Sequence, residues 1–185
     1  PANRKGFFIQ QEDHPAGVYI FDAKNAKNVE IGDKVSVQGK TTAYYGFLEI
    51  TGATVTKDGK GTITPTVITA EQSTLNPNVY DSVLVRVNNL TTADTEPDYK
   101  TGATSAWACT DASGKAAYID DFAAGSEFLK TNVTKSTTYT SVTGILVYDF
   151  KQSKIAPRDL ADLVKGLAVS SVTSAVASAG FGTDV

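Results

Sequence analysis

Residues 31–50 read IGDKVSVQGKTTAYYGFLEI, and residues 138–155 read TYTSVTGILVYDFKQSKI. Each stretch opens with a long alternating strand that has a glycine near its middle, Gly39 in the first and Gly144 in the second. Each then passes through an aromatic turn into a short strand that ends in isoleucine. A glycine inside a long strand is the usual device for coiling that strand around a small barrel. The two stretches therefore predict two small β-barrels.

A two-stranded hairpin precedes each of these stretches. The first joins residues 6–11 (GFFIQQ) to residues 18–21 (VYIF), and the second joins residues 105–110 (SAWACT) to residues 116–119 (AAYI). Short runs of β-branched and aromatic residues between polar turns are typical of strands. One pattern is thus repeated at a spacing of about a hundred residues, which is the scale of two domains.

The repeat predicts an all-β chain of two consecutive five-stranded OB-type Greek-key barrels. The second unit has all five strands, beginning with residues 83–87 (VLVRV). The first has only four, because nothing before Gly6 serves as strand one, and its sheet would keep an open edge. The expected boundaries are a first OB-fold over residues 1–62, a connector over 63–79, a second OB-fold over 80–165 and a tail over 166–185.

Local signals predict the remaining elements. Asp58-Gly59 is a strong turn pair and predicts that the strand over residues 53–56 ends there. Prolines in the connector predict irregular structure. Helical turns are expected at residues 122–129 and 159–164.

The charge distribution argues against tight nucleic-acid binding. The net charge is −3, whereas dedicated nucleic-acid binders carry a basic excess that neutralises phosphates. Residues 1–60 hold eight Lys and Arg against seven Asp and Glu, and the remainder holds nine against thirteen. The first unit is therefore the less acidic one.

No constellation of residues predicts an enzyme, a metal site or a bound cofactor. The only histidine, His14, precedes Pro15 in a predicted turn, and the only cysteine, Cys109, lies in a predicted strand, where a buried inert thiol is expected. The acidic clusters at residues 12–14 and 120–121 offer too few convergent oxygens for a hard cation. No glycine-rich phosphate loop occurs.

The aromatic residues of the first unit suggest a ligand-binding surface. Side chains alternate between the two faces of a strand, so if Phe7 and Ile9 fill the barrel, Phe8 and its neighbours lie outside. OB-folds stack bases or sugars on that outer face. The predicted ligand-binding residues are Arg4, Lys5, Phe8, Gln10, Tyr19, Phe21, Tyr44 and Tyr45. The alternative is that some of these aromatic side chains pack against the second barrel or a loop.

Six short segments, in order, resemble the OB-fold module of YhcR-type secreted bacterial nucleases. They are GFFIQQ at residues 6–11, GVYIF at 17–21, IGDKVSVQG at 31–39, YYGFLEI at 44–50, YDSVLV at 80–85 and KIAPR at 154–158. The resemblance implies an extracellular or cell-surface bacterial protein with an accessory nucleic-acid-binding role beside a separate catalytic domain. Similar tandem modules also occur in surface lipoproteins without a nuclease domain.

The C-terminal tail has its own strand-like pattern. Residues 167–179, from Leu167 to Ala179, alternate valine with serine, and this alternation is similar to the opening strand of a BACON-type immunoglobulin-like domain. The open edge of the first barrel needs a cover, which is residues outside this sequence, another chain, or this tail acting within the chain or by strand exchange between identical chains. We expect the tail to form a strand added to a sheet edge.

Two functions remain open on the sequence alone. The first is a non-catalytic module that binds single-stranded nucleic acid weakly through the first OB-fold, as the resemblance implies. The alternative is a carbohydrate- or protein-binding module of a cell-surface protein, which the acidic composition suits. No apolar run reaches the roughly 20 residues of a membrane span.

Overall fold

A computed structural model describes residues 5–99 and 106–166 of the chain. Strands make up most of its regular secondary structure, as the all-β prediction requires. The strands are β1 (Phe7–Gln10), β2 (Gly17–Phe21), β3 (Asp33–Tyr44), β4 (Phe47–Lys60), β5 (Thr66–Val67), β6 (Leu84–Thr92), β7 (Trp107–Thr110), β8 (Ala116–Ile119), β9 (Thr138–Asp149), β10 (Gln152–Ala156) and β11 (Leu163–Lys165). The α-helices are α1 (Ala70–Ser73) and α2 (Ser126–Asn132), and 3-10 turns lie at Asn25–Lys27 and Leu160–Asp162.

The first sheet has four strands in the order β1-β2-β4-β3. The predicted hairpin is confirmed, with Phe7 opposite Ile20 and Ile9 opposite Val18. Strand β2 runs parallel to β4, whereas β3 and β4 form a long antiparallel ribbon.

The predicted turn at Asp58-Gly59 is wrong. Both residues lie inside β4, where Gly59 stands opposite Lys34 of β3. Strand β4 is also continuous through Gly52, at positive φ, close to the point where its register with β3 shifts. The long partner strand offers hydrogen bonds all along β4, and these outweigh the local turn preference.

The second sheet closes on itself. Strands β6, β7, β8, β10 and β9 pair in that order, and β9 pairs back with β6 to complete a ring of five. Only the β8–β10 pairing within the ring is parallel. Two short strands pair with the ring without being part of it: β5 runs parallel to β6, and β11 runs antiparallel to β9.

Three segments differ from their predicted local structure. The connector contains β5 and also α1, which begins with a capping box between Thr69 and Gln72. The helix expected over 159–164 is a short 3-10 turn followed by β11, so that prediction is half right. The helix expected over 122–129 begins later, at Ser126.

The first sheet repeats four of the five strands of the ring. The order β1-β2-β4-β3 matches β7-β8-β10-β9, and the parallel pair is the same in both. Ile20 pairs with Phe7 and Ile50, as Ile119 pairs with Trp107 and Ile155. Within residues 5–99 and 106–166, no counterpart of β6 completes the first sheet. The predicted four-stranded count is therefore confirmed for this part of the chain.

The ring encloses the main hydrophobic core, which contains the fully buried Trp107, Tyr139, Val142, Leu146 and Ile155. The inner face of the first sheet is less well covered. Ile20 is fully buried there, but the other inward side chains are only half-buried; they are Phe7, Ile9, Val18, Val35, Val37 and Ile50.

The outer face of the first hairpin packs against the ring. Tyr19 and Phe47 form a buried cluster with Val147 of β9 and Ala156 of β10. The backbone N–H of Leu84 donates a 2.8 Å hydrogen bond to Gln10 Oε1 across the same junction. The two sheets are thus joined by apolar packing and by at least one direct hydrogen bond.

Among the described helices, none has both the length and the apolar character needed to cross a membrane.

Candidate ligand-binding surface

Two hairpin turns present an aromatic residue at their tip. Tyr45-Gly46 joins β3 to β4, and Phe150-Lys151 joins β9 to β10. All four turn residues have positive φ, with values of 49° and 91° in the first turn and 48° and 64° in the second. Two-residue connections of this kind are type I′ turns, whose twist matches that of the flanking strands. The turns occupy equivalent places in the two repeats.

An aromatic residue is an unusual choice for the first position of a type I′ turn. Asn, Asp and Gly are preferred there, because a side chain with a bulky Cβ substituent is strained at positive φ. Such strain costs about 1–3 kcal/mol per residue and is often found at functional sites. Tyr45 is 84% exposed and Phe150 is 61% exposed, so burial of these rings does not offset the strain. This points to a surface role for both rings.

The two turns lie beside each other. A Cβ atom built at Gly46 would be only 3.0 Å from Cε1 of Tyr148, so the backbone of the first turn rests on that ring. Tyr148 is itself held by Asn76, whose Nδ2 donates to its hydroxyl at 3.3 Å. Phe150 follows two residues later on the same hairpin. The aromatic tips of both repeats therefore contribute to one surface.

Further aromatic side chains extend this surface on the first sheet. Tyr44 and Tyr45 make an edge-to-face pair with ring centroids 4.7 Å apart, and Tyr44 is 65% exposed. Phe21 is also exposed, but it stands opposite Thr51, four residues beyond Phe47 along β4, and its ring contact is with Tyr19 at 6.5 Å. We call Tyr44, Tyr45, Tyr148 and Phe150 the aromatic surface.

The predicted exposure of Tyr19 is wrong. Its side chain is buried, with its ring stacked on that of Phe47 at 5.9 Å and tilted against that of Phe8 at 4.8 Å. Burial, with a smaller contribution from the charge of Glu49, raises the pKa of Tyr19 to about 12. Phe8 is half-buried in the same cluster, edge-on to Phe122. Tyr19 and Phe8 therefore follow the alternative interpretation, in which aromatic side chains of the first unit pack against the second barrel.

The other predicted residues have separate positions. Gln10 uses its side-chain oxygen to accept the Leu84 N–H at the junction of the two sheets. Lys5 is exposed at the start of the described chain, and Arg4 lies outside the described residues. The structure thus brings Tyr44 and Tyr45 together in the aromatic surface, whereas Phe21 is exposed further along the first sheet.

Sequence reasoning missed Tyr148 and Phe150 as candidate site residues. The signal was present, since residues 148–150 repeat the aromatic turn at 44–47. What the sequence could not show is that the two turns lie next to each other, because that depends on how the sheets pack.

Ion pairs neutralise several lysines of the first sheet. Lys34 bonds Glu12 at 3.0 Å, and Lys57 and Lys60 both bond the Asp33 carboxylate. Hydrogen bonds from these two lysines hold the pKa of Asp33 well below its usual range. Lysines engaged in this way attract a phosphate backbone less strongly than uncompensated ones.

A buried ion pair supports the second turn. Lys154 Nζ lies 2.9 Å from Asp120 Oδ2 and 3.7 Å from Asp149 Oδ2, and it also faces the Phe150 ring at 5.7 Å from the centroid. The side chains of Lys154 and Asp120 are 4% and 3% exposed. Lys154 therefore connects the buried Asp120 carboxylate to Asp149 and Phe150, the residues at which the second turn begins.

Cys109 lies in the core of the ring, and His14 lies in the turn between β1 and β2. Burial raises the pKa of the Cys109 thiol to about 12, which disfavours the nucleophilic thiolate. His14 Nδ1 lies 2.8 Å from Asp13 on an exposed turn. In the part of the chain that the structure describes, no three His, Cys, Asp or Glu side chains converge on a possible metal position.

Comparison with known proteins assigns no family to the chain. No protein-family model matches it, and no curated protein matches it. Among solved structures, a murine DNA-binding protein bound with double-stranded DNA aligns over 83% of this chain and 88% of that chain, at 8% sequence identity and a TM-score of 0.33. A likeness at that level establishes neither a shared fold nor a shared function.

Proposed function

We propose that this chain is a non-catalytic binding module that binds single-stranded nucleic acid weakly, with the aromatic surface as its stacking platform. The observation that carries the proposal is the pair of equivalent turns whose exposed aromatic residues, Tyr45 and Phe150, are kept at strained positive φ.

We also propose that the ring is an OB-type barrel and that the first sheet is the same barrel without its first strand. The strand order and the single parallel pair within the ring support this assignment. OB-folds bind oligonucleotides and oligosaccharides on the face of strands two and three and on the loops after strands one and four. Both aromatic turns follow the fourth strand of their repeat, so they lie at a position that this fold uses for ligands.

Stacking explains why a module of this kind would use aromatic rings on rigid turns. Each base has an apolar face, and stacking on an aromatic side chain contributes about 1–3 kcal/mol per base without sequence preference. Turns held by the β3–β4 and β9–β10 ladders fix the rings before the ligand arrives, which reduces the entropy lost on binding.

The charge of the chain sets the expected strength of binding. The net charge of −3 and the paired lysines of the first sheet leave little electrostatic attraction for phosphates. Binding should therefore be weak and should depend mainly on the rings. The resemblance to YhcR-type modules supports a secreted or surface-exposed bacterial setting as part of this proposal.

A carbohydrate is the second candidate ligand. Exposed aromatic rings on OB-folds also bind sugars, and an uncharged oligosaccharide pays no electrostatic penalty on an acidic protein. The observation that favours this candidate is the acidic pI of about 5.1.

Fluorescence anisotropy at low salt distinguishes the two ligands. We expect a labelled single-stranded oligonucleotide to bind the full chain, and Tyr45→Ala and Phe150→Ala each to weaken binding about fivefold or more, equivalent to about 1 kcal/mol. The matched control is Ile31→Ala, because Ile31 is 77% exposed but precedes β3, at the opposite end of that strand from Tyr45.

A neutral oligosaccharide and a duplex oligonucleotide serve as the comparison probes. Binding of a neutral oligosaccharide alone would favour the second candidate, and equal loss with Ile31→Ala would show that the aromatic surface is not the site. Stronger binding to duplex than to single strands would contradict stacking.

A further inference from the structure

We propose that Lys151 binds a phosphate group of the nucleotide whose base stacks on Phe150. The second turn then holds a base and its phosphate together, whereas the first turn offers a ring alone. This inference rests on the proposed function and narrows its ligand to an anion that carries stackable bases.

Lys151 occupies a backbone position that favours glycine. It is the second residue of its type I′ turn, with φ of 64°, and the equivalent residue of the first turn is Gly46, with φ of 91°. A lysine at positive φ is strained, and the side chain of Lys151 is exposed, so packing does not offset the strain. Neither the turn geometry nor the core accounts for a lysine here, which points to a contact outside the protein.

Of the two turns, the second is the one that combines a ring with a charge. A Cβ atom at Gly46 would lie 3.0 Å from Cε1 of Tyr148, so a side chain there would press against that ring as well as strain the backbone. The first turn is therefore limited to the Tyr45 ring, and the second carries both Phe150 and Lys151.

The charge of Lys151 is not neutralised within the part of the chain that the structure describes. Other lysines there pair with carboxylates; they are Lys34, Lys57, Lys60, Lys115, Lys130 and Lys154. Lys151 forms no ion pair with any described residue. The nearest carboxylate in sequence, that of Asp149, lies 3.7 Å from Lys154 Nζ instead. An ammonium group without a carboxylate partner is the more effective phosphate contact.

The Phe150 ring and the Lys151 ammonium group can serve one nucleotide. Lys154 Nζ lies 5.7 Å from the centroid of the Phe150 ring, so one face of the ring is directed at Lys154 and the other face is left for a base. Adjacent Cα atoms are about 3.8 Å apart, and the stem of a lysine is flexible. The ammonium group of Lys151 can therefore follow the phosphate of a nucleotide stacked on its neighbour, and lysine binds phosphate as a point charge.

The salt dependence of binding tests this contact on the full chain. Anisotropy of a labelled single-stranded oligonucleotide gives the association constant at several salt concentrations. For Lys151→Gln we expect the slope of its logarithm against the logarithm of salt concentration to become shallower by about 0.7, the value for one phosphate contact on a single strand. The loss of affinity should accordingly be about 2.5-fold larger at about 50 mM salt than at about 200 mM.

Three further variants separate the charge from the structure of the turn. Lys151→Arg keeps the charge and should keep the slope. Lys151→Gly should lose the slope and raise the melting temperature, because glycine is preferred at this position. Lys165→Gln is the matched control and should leave the slope unchanged, since Lys165 is exposed on β11 opposite Tyr139, at the other end of β9 from the second turn.

Phe150→Ala distinguishes failure of this inference from failure of the proposed function, because loss of stacking weakens binding at every salt concentration. If Phe150→Ala weakens binding but Lys151→Gln leaves the slope unchanged, or if Lys165→Gln changes it equally, the phosphate contact is wrong and the proposed function stands. If Lys151→Gln changes the slope but Phe150→Ala has no effect, base and phosphate are not held together at this turn. No binding of the oligonucleotide at low salt overturns both.

Discussion

Tyr45 and Phe150 hold the same position in two equivalent hairpin turns, with φ of 49° and 48°. In each turn the flanking residues pair directly, Tyr44 with Phe47 and Asp149 with Gln152. Their equivalence makes it possible to separate what each ring contributes to stability from what it contributes to binding.

Relieving the strain at these turns should stabilise the protein. Asn is preferred at the first position of a type I′ turn, so we expect Tyr45→Asn and Phe150→Asn each to raise the free energy of unfolding by about 0.5–1 kcal/mol. Urea denaturation measures the change, and oligonucleotide binding should fall in the same variants. Tyr45→Phe keeps the ring and serves as the control. A loss of stability with Asn would show that the rings stabilise the turns.

Tyr19 and Tyr44 should respond differently to truncation. Tyr19 is 7% exposed within the cluster that joins the two sheets, so Tyr19→Ala should lower the free energy of unfolding by about 3 kcal/mol. Tyr44 is exposed, and Tyr44→Ala should change stability by less than about 0.5 kcal/mol. Chemical denaturation of the two variants side by side checks this. Equal effects would mean that the hairpin does not pack against the ring.

The buried pair Lys154–Asp120 should be costly to break from one side. Lys154→Met leaves Asp120 buried without its partner, and we expect a loss of about 3–5 kcal/mol. Asp120→Asn should cost less, because Asp149 remains 3.7 Å from Lys154 Nζ and the asparagine oxygen can still accept from Phe122 N–H. Combining both changes should cost less than the sum of the single losses. Strict additivity in a double-mutant cycle would contradict a coupled pair.

Stability should depend on pH through Asp81. Burial raises the pKa of this carboxyl to about 6, and the hydrogen bond with Ser153 Oγ at 3.0 Å only partly opposes the shift. The folded state therefore binds more protons than the unfolded state between the ordinary aspartate pKa and about 6. The stability contributed by this group is fully present at low pH and is lost as the pH rises through about 6.

Asp81→Asn removes this titration. We expect the variant to be more stable than the unaltered protein at pH 7.5, by about 1–2 kcal/mol, and to show little advantage at pH 4. Urea denaturation at the two pH values measures the difference, and Asp94→Asn on an exposed loop is the control. A constant difference at both pH values would exclude a titrating Asp81.

The local elements could be predicted because their signals are local. Alternation of side chains and turn residues identified the hairpin of β1 and β2, the long strands around Gly39 and Gly144, and the four-strand count of the first sheet. The turn expected at Asp58-Gly59 was wrong, because pairing with β3 carries β4 past it. Whether a strand ends at a given residue is decided by its pairing with residues distant in sequence. The turn preference of two adjacent residues holds no information on that pairing.

The sequence by itself determined the repeat, the strands and the aromatic character of both turns. Only the tertiary structure decided which aromatic side chains reach solvent. Phe7 and Ile9 make one face of the first hairpin apolar. Phe8 and Tyr19 make the other face apolar as well, so the alternation of side chains cannot tell which of the two faces is covered. Contact of Tyr19 with Val147 buries that second face and leaves the turns exposed. The physical reason is that burial depends on the packing of two sheets, whereas alternation describes only one strand at a time.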